Sequence, residues 1–421
     1  MLLNYDEMIK LLGYEKLSSR VECLFNEWIA LDNDWLMTES DFKWISEKLS
    51  FTHNQYTSLL NAILCIKNDH LLHRLLSFMQ YVYMIGGHPS EWLMQTPPKI
   101  KHPTIDVDTF QLMAILSLIP LAKLDHQKRS IDETHADFNL KHLKGYIKLR
   151  DEHKSIYGID NYGWALYLAS FGLIHLDTLN FMHHIYSDPF YFYQHNTTKT
   201  VIALAKSHIH VRKDGQINHV NKIDDLWFET SLDISDSYVK GYRVNPMGSI
   251  TDEMITLDLD AYTCVLKHGD STIDFHIPTD VDYSVETFKQ TLLKGKNFFE
   301  KHYSDYAYKA FWCVSWLYSP QLTGFISHQT SRIVQVAMQG YRLPATPGIQ
   351  SLYTFVFGSD HPNFSTFVVK TSLQKAVIAY TSQHKSINAG CFIYFINDID
   401  QFGLRPYVSN EDEINHQKTV L

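Results

Sequence analysis

Residues 272–278 have the sequence Thr-Ile-Asp-Phe-His-Ile-Pro. Apolar and polar side chains alternate along it, which predicts a strand with one apolar face and one polar face. The polar face carries Thr272, Asp274 and His276, and Pro278 ends the strand because proline has no N–H to donate. We expect the apolar face to pack on a helix. The polar face is either solvated or lines a cleft, since burying such groups without partners is costly.

A helix over 285–303 is predicted to follow this strand, and Ser284 is placed to cap it. A strand that ends at a helix N-terminus is a potential anion site, because free amide groups and the positive end of the helix dipole lie there. Lys289, on the same helix, could neutralise a phosphate. The alternative is a half-exposed strand and a solvated helix with no ligand.

A second strand is predicted over 310–317, and its alternation places Cys313 and Ser315 on one face. If this strand neighbours the first one, both side chains could flank His276, and either could act with it as a nucleophile. A cysteine in an apolar strand is more often an inert core residue. Both interpretations remain open at the level of sequence.

The chain divides into two unlike halves, which we assign to domains 1–172 and 173–421. In the first, apolar residues recur with helical spacing and predict a helical bundle with no chemistry of its own. In the second, strands alternate with helices, which predicts a mixed, partly parallel sheet flanked by helices and therefore an α+β fold. The remaining strands are predicted near 333–338, 352–357, 367–370 and 391–396, and the remaining helices near 321–326 and 373–384.

Two further patterns match the capping box that begins a helix. They are Ser130 with Glu133, and Thr371 with Gln374. For Thr371 we prefer a purely structural role over one in a site. The polar tail 411–421 is expected to fray.

Composition and charge exclude several classes of protein. The formal net charge of −9 gives no broad basic field, which disfavours nucleic-acid binding. Five scattered cysteines argue against a disulfide framework, and the densest histidine groups lack a third metal ligand at suitable spacing. The N-terminus is acidic where a signal peptide is basic. The most apolar stretch, 110–124, is shorter than the roughly 20 residues of a membrane span. A cytoplasmic protein without metal or membrane span is expected.

Several segments together carry a resemblance to a known family. The chain resembles bacterial acyltransferase-domain proteins that pair a helical N-acyltransferase N-terminal domain with a GNAT-like C-terminal domain. The resemblance runs from about residue 50 to residue 396. It rests on Gly215-Gln216, Val239-Lys240-Gly241 with Pro246-Met247-Gly248, Gly269-Asp270, His276-Ile277-Pro278, Cys313-Val314-Ser315-Trp316-Leu317 and Thr371-Ser372-Leu373-Gln374-Lys375-Ala376.

The resemblance implies a GNAT-like mixed sheet and an acyl-CoA or acetyl-CoA co-substrate. In that fold two central parallel strands splay apart and the pantetheine arm lies in the gap; here they would be 272–277 and 310–317. The pyrophosphate would lie on the loop 279–284. The implied cofactor-binding residues are Ile277, Pro278, Thr279, Asp280, Ser284 and Lys289. Where the family usually has glycines, this chain has Thr279-Asp280-Val281-Asp282, whose carboxylates repel a pyrophosphate.

The resemblance favours an enzyme that transfers an acyl group to an amine, for which the sequence offers candidate catalytic residues. His276 is the candidate base, oriented by Asp274, and Ser315 or Tyr318 could protonate the leaving thiolate. A small-molecule amine would be the acceptor. Two alternatives remain: a catalytically degenerate GNAT-like fold that acts as a binding or regulatory module, and a hydrolase or thioesterase that uses Cys313 or Ser315.

Overall fold

The computed structural model of the chain describes residues 4–31, 34–35, 37–84, 96–218, 226–327, 331–345, 349–383 and 387–420. These residues form two compact units, Met1–His175 and Leu176–Leu421. The predicted boundary after residue 172 lies close to this division. Each unit is described by itself.

The described part of the first unit is mainly helical. Its helices are α1 (Tyr5–Leu11), α2 (Ser19–Ala30), α3 (Glu39–Leu49), α4 (His53–Asn68), α5 (His70–Tyr83), α6 (Val107–Leu116), α7 (Ile119–Lys128), α8 (Glu133–Lys144) and α9 (Tyr162–Ala169). A hairpin of β1 (Ile147–Asp151) and β2 (Ile156–Ile159), which the periodicity did not predict, lies between α8 and α9.

Two local features of the first unit bear on the sequence predictions. The capping box predicted at Ser130 is wrong: Asp132 is the N-cap of α8, and its carboxylate accepts the N–H of Thr134 at 2.9 Å. An aspartate two residues before a free amide makes this bond directly, so the helix begins there.

The stretch Val107–Lys128 is long and apolar enough to cross a membrane, and 61% of its apolar window is buried within the protein. Buried core helices pass the same test, so this is weak evidence for a span.

The second unit is built on two six-stranded sheets and a hairpin. The central sheet has the order β15-β16-β14-β13-β4-β3, and the second sheet has the order β11-β10-β6-β5-β12 with β9 beside β10. The strands are β3 (Ile174–Leu176), β4 (Leu179–Ile185), β5 (Phe190–His195), β6 (Val201–Ala205), β7 (His210–Arg212), β8 (Leu226–Glu229), β9 (Leu232–Ile234), β10 (Tyr238–Asn245), β11 (Ser249–Asp258), β12 (Tyr262–Leu266), β13 (Ser271–His276), β14 (Ala310–Ser315), β15 (Tyr341–Pro344) and β16 (Gly390–Phe395). β7 pairs with β8 as the separate hairpin.

Helices of the second unit are α10 (Val285–His302), α11 (Pro320–Phe325), α12 (Arg332–Ala337), α13 (Ile349–Phe357), α14 (Ser372–Thr381) and α15 (Asn410–Val420). A 3-10 turn, Trp316–Tyr318, connects β14 to α11. The mixed sheet with flanking helices confirms the predicted α+β fold.

The central sheet has an apolar layer on each face. On one face Phe275 packs against Phe288 of α10, with ring centroids 5.4 Å apart, as the alternation in 272–278 predicted. On the other face the central and second sheets share a core, in which Phe192 meets Tyr341 at 5.1 Å. β13 and β14 therefore lie in the middle of a sheet that is covered on both sides.

Three predicted strands are wrong. Residues 333–338 and 352–357 belong to the helices α12 and α13, and 367–370 form no regular element. Short apolar runs cannot be assigned to strand or helix by periodicity. For α12 the hydroxyl of Ser331 is the N-cap that starts a helix, whereas Phe367 packs its ring on Phe357 at 5.1 Å.

The C-terminal tail also differs from its prediction. Residues 410–420 form α15, on which Asp412 and His416 are 5% and 0% exposed. Asp412 accepts hydrogen bonds from Arg243 at 2.9 Å and from the Ser409 hydroxyl at 2.6 Å. The tail was expected to fray because its sequence is polar, but the residues that it buries are themselves polar.

Candidate functional site

The two central parallel strands separate at their carboxyl ends. β13 pairs with β14 from Thr272 opposite Ala310 to Asp274 opposite Trp312, and no further. β13 nevertheless continues along β4 as far as His276, and β14 continues along β16 as far as Ser315. The backbones of the last residues of both strands therefore face a gap instead of each other. This is the splay that the resemblance implied for 272–277 and 310–317.

His276 and Asp274 lie together at this gap. The Nε2 atom of His276 lies 3.2 Å from Oδ2 of Asp274, and the two side chains are 40% and 7% exposed. Burial lowers the pKa of His276, but the charge of Asp274 and its hydrogen bond raise it by more, so the net pKa lies above its usual value. The second carboxylate oxygen of Asp274 is buried and has no hydrogen-bond partner within the described residues. The structure therefore forms the imidazole–carboxylate pair that the sequence proposed.

Cys313 and Ser315 do not flank His276 on the same face, and this part of the sequence interpretation is wrong. In the parallel register Phe311 lies opposite Ile273, so the alternation puts Cys313 and Ser315 on the face that packs against α10. Cys313 is 3% exposed, and burial, followed by the charge of Asp274, raises the pKa of its thiol well above the usual value.

Ser315 and Tyr318 are both engaged in local hydrogen bonds at the end of β14. The hydroxyl of Ser315 accepts the N–H of Leu317 at 3.2 Å and so caps the 3-10 turn. The hydroxyl of Tyr318 is fully buried and accepts a hydrogen bond from Tyr283 at 2.9 Å. Burial raises the pKa of Tyr318 well above its usual value, with further contributions from Tyr283 and Cys313. Tyr318 therefore stays protonated and keeps a proton to donate.

The loop that connects β13 to α10 places the carboxylate of Asp282 beside the N-terminus of this helix. Oδ2 of Asp282 accepts hydrogen bonds from the hydroxyls of Ser284 at 3.1 Å and Thr287 at 2.7 Å. Its other oxygen lies 3.1 Å from Nη1 of Arg332. The hydrogen bonds from Thr287 and Ser284, and then the charge of Arg332, lower the pKa of Asp282. A carboxylate thus occupies the first turn of α10, where the resemblance implied a pyrophosphate.

Asp280 differs from Asp282 in its surroundings. It is exposed, has a φ of +62°, and forms no ion pair within the part of the chain that the structure describes. Ile277 and Pro278 are half-buried and Thr279 is exposed on the same loop. All of these implied cofactor-binding residues therefore lie next to the gap.

Ser284 has the capping role that the sequence predicted, while Lys289 points to a different partner. The hydroxyl of Ser284 accepts the N–H of Thr287 at 3.3 Å. Nζ of Lys289 donates to the carbonyl oxygen of Asp400 at 2.9 Å. Within the described residues the Lys289 ammonium forms no ion pair with Asp280 or with Asp282, whose cationic partner is Arg332.

Sequence reasoning missed a half-buried carboxylate that contacts β14 and β16. Asp188, in the turn between β4 and β5, accepts the indole N–H of Trp312 at 2.5 Å and lies 3.5 Å from the thiol of Cys391. Burial raises the pKa of Asp188. The ring of Trp312 stacks on His184 with centroids 4.0 Å apart. Because 124 residues separate Asp188 from Trp312, no local pattern could have indicated this contact.

Metal chemistry has no candidate centre in the described ranges. They contain no group of three or more histidine, cysteine, aspartate or glutamate residues that could hold a metal ion.

The fold and the gap define a class of protein. In this class a mixed sheet has two central parallel strands that splay apart beside the N-terminus of a helix. A family model described as the GNAT-like C-terminal domain matches residues 173–393, which is more than half of the chain. The chain belongs to this family. The comparison with curated proteins gave no match.

Solved structures were also compared with the chain. A crystal structure of an acyltransferase in complex with decanoyl-CoA and teicoplanin is 15% identical with a TM-score of 0.49, covering 94% of this chain and 100% of that chain. A crystal structure of an acyltransferase in complex with decanoyl-CoA is 16% identical with a TM-score of 0.47, covering 93% of this chain and 99% of that chain.

Proposed function

We propose that the protein is an acyl-CoA-dependent N-acyltransferase. The observation that carries this proposal is the separation of β13 and β14 after Asp274 and Trp312, with His276 at the opening. Membership of the GNAT-like family supports it. The donor's pantetheine arm would lie in the gap and pair with the free edges of the two strands.

The residues at the gap suit the proton movements of acyl transfer. The amine nitrogen attacks the thioester carbonyl, so that a C–N bond forms and the carbonyl oxygen gains negative charge. In this proposal, backbone N–H groups of the separated strands stabilise that oxygen. His276, in its neutral form, takes the proton that the attacking amine loses, and Asp274 orients the ring and stabilises its charged form.

The C–S bond then breaks and the thiolate of CoA takes a proton. Tyr318, kept protonated by burial, and Ser315 are the candidate donors. The structure favours neither of them. The hydrolase alternative is less well supported, because the Cys313 thiol is buried and held protonated on the face opposite His276.

A second candidate function, a binding or regulatory module without acyl transfer, is favoured by Asp282. Its carboxylate already accepts hydrogen bonds from the hydroxyls of Ser284 and Thr287 at the start of α10. A module of this kind has no need of a pyrophosphate site. The two candidates therefore differ in whether the protein binds acyl-CoA at all.

Calorimetric titration with acetyl-CoA and with a longer acyl-CoA tests the proposal. The wild type should bind, and Asp280→Asn should bind about fivefold more tightly at low salt, because it removes a repulsive charge whose effect salt screens. Asparagine also tolerates a positive φ, so the loop conformation is kept. Asp252→Asn, at an exposed position on β11 in the second sheet, makes the same change in charge and is the control.

The transfer step has its own test. His276→Ala should bind acyl-CoA as the wild type does and lose acyl transfer to an amine by about 10²–10⁴-fold, the usual contribution of a general base. Failure of wild type and Asp280→Asn alike to bind acyl-CoA would refute the proposal in favour of the binding module. Full activity of His276→Ala would reject His276 as the base.

A further inference from the structure

Arg342, on β15, is a fully buried cation without an acidic partner in the described part of the chain. It is 0% exposed. Its Nη1 donates to the hydroxyl of Thr323 at 3.1 Å and its Nη2 to the sulfur of Met247 at 2.7 Å, so both acceptors are neutral. Its Nε is buried with no hydrogen-bond partner among the same residues. Burial and the charge of Arg405 lower the pKa of Arg342 to about 9, so it is charged at neutral pH.

A second guanidinium adds positive charge to the same region. The Nε of Arg405 is also buried and without a partner in the ranges described. The acid bound to Arg405 is Glu413 of α15, through Nη2. His416, one turn further along α15, has a pKa lowered to about 4, mainly by burial and then by the charge of Arg342, so it adds no charge at pH 7. Among the described residues, Arg405 therefore has one acidic partner and Arg342 has none.

Burying an uncompensated charge is expensive, and buried charges in proteins are normally paired. Guanidinium groups present their free N–H edges in a planar arrangement that matches a carboxylate. We propose that Arg342 and Arg405 form a binding site for a small carboxylate anion beneath α15. The site is separate from the proposed donor gap, and it stands or falls independently of acyl transfer.

The site is closed by polar contacts rather than by apolar packing alone. His416 Nε2 lies 3.0 Å from the carbonyl oxygen of Pro320 and 3.2 Å from the hydroxyl of Thr323, the same hydroxyl that Arg342 contacts. These contacts join α11, α15 and β15. Anion binding would therefore stabilise the attachment of α15 and raise the pKa of His416, because it offsets the charge of Arg342.

Thermal unfolding of the full chain at pH 7 tests the site, with sodium acetate or formate compared with sodium chloride at equal ionic strength. For the wild type we expect the carboxylates to raise Tm by about 3–5 °C for each tenfold increase above the dissociation constant, and chloride to do less. Arg342→Met should abolish the difference. Arg150→Met is the matched control, since Arg150 lies in the other unit and already pairs with Asp160 at 2.6 Å.

NMR titration of His416 gives a readout that does not depend on stability. Acetate should raise its pKa in the wild type and leave it unchanged in Arg342→Met. If Arg342→Met does not fold, Arg405→Met at the partly exposed position replaces it and should weaken the acetate effect several-fold. Identical Tm values in acetate and chloride, or an acetate effect that survives both substitutions, would overturn the proposal.

Discussion

Gly390, the first residue of β16, should not tolerate even a methyl group. A Cβ atom at this position would lie 2.0 Å from the carbonyl oxygen of Tyr318 and 2.5 Å from its carbonyl carbon. Ordinary contacts begin near 3.4 Å, so the backbones would have to move apart by about 1.4 Å, the difference between 3.4 and 2.0. Neither backbone can yield easily, because Gly390 is paired with both Ser315 and Pro344.

Overpacking of this kind costs about 1–3 kcal/mol. Since the clash is with backbone rather than with a flexible side chain, we expect Gly390→Ala to lose about 3 kcal/mol of stability, the upper end of that range. For a unit of this size this corresponds to a decrease in Tm of about 6–12 °C. Calorimetric and urea unfolding measure both quantities.

The control is Gly145→Ala, at the end of α8. Its φ is −64° and the nearest atom to a new Cβ is the His142 carbonyl oxygen at 3.2 Å, so its stability should change by less than about 0.5 kcal/mol. Because Tyr318 stands next to the gap, Gly390→Ala should also weaken acyl-CoA binding. A Gly390→Ala protein as stable as the control would show that β16 and the 3-10 turn do not approach each other in this way.

Three further predictions concern titration and helix capping. First, transfer by the wild type should increase with pH through a pKa above 6.5, the usual value for His276. In Asp274→Asn only the effect of burial on the pKa of His276 remains, so the rise of the pH–rate profile should move below pH 6.5. An unshifted pH–rate profile and an unshifted NMR titration of His276 would contradict the pairing. Second, His416 is neutral when folded, so the unfolded chain binds more protons between pH 6.5 and about 4. About 3 kcal/mol of stability should be lost as the pH falls through this window, and urea unfolding should show a flatter profile for His416→Gln. Third, Thr371→Ala removes an acceptor 3.1 Å from the Gln374 N–H and should cost about 1 kcal/mol; a loss of acyl-CoA affinity at unchanged stability would instead place Thr371 in the site.

Local patterns in the sequence were sufficient to predict the elements that build the gap. Alternation identified β13 and β14, and helical spacing together with the Ser284 cap identified α10, because these elements follow their intrinsic periods. The strand–helix–strand order also implied a parallel pairing, since consecutive parallel strands need a crossover. The Thr371–Gln374 capping box is present with both of its hydrogen bonds, because it depends only on four consecutive residues.

Long-range features could not be predicted in the same way. The face on which Cys313 lies follows from the register between β13 and β14, and a shift of one residue would reverse it. The contact of Asp188 with Trp312 joins distant parts of the chain. α15 buries Asp412 and His416, so a rule that equates polar segments with solvated ones misplaces it. In each case the tertiary structure decides what the local pattern leaves open.

The loop before α10 is the place where the two candidate functions can be separated. Asp282 is compensated by Ser284, Thr287 and Arg332, so its charge belongs to a local network that holds the loop in place. Asp280 has no such ion-pair partner in the described ranges. Its charge therefore repels an anion that approaches the gap. A pyrophosphate would therefore be repelled mainly by Asp280, while Arg332, which pairs with Asp282, supplies a cation beside the loop. Asp280→Asn and Asp282→Asn should accordingly have different effects. The first would improve acyl-CoA binding, whereas the second would free Arg332 but loosen the helix cap and lower stability. A module that never binds acyl-CoA would show only the second effect.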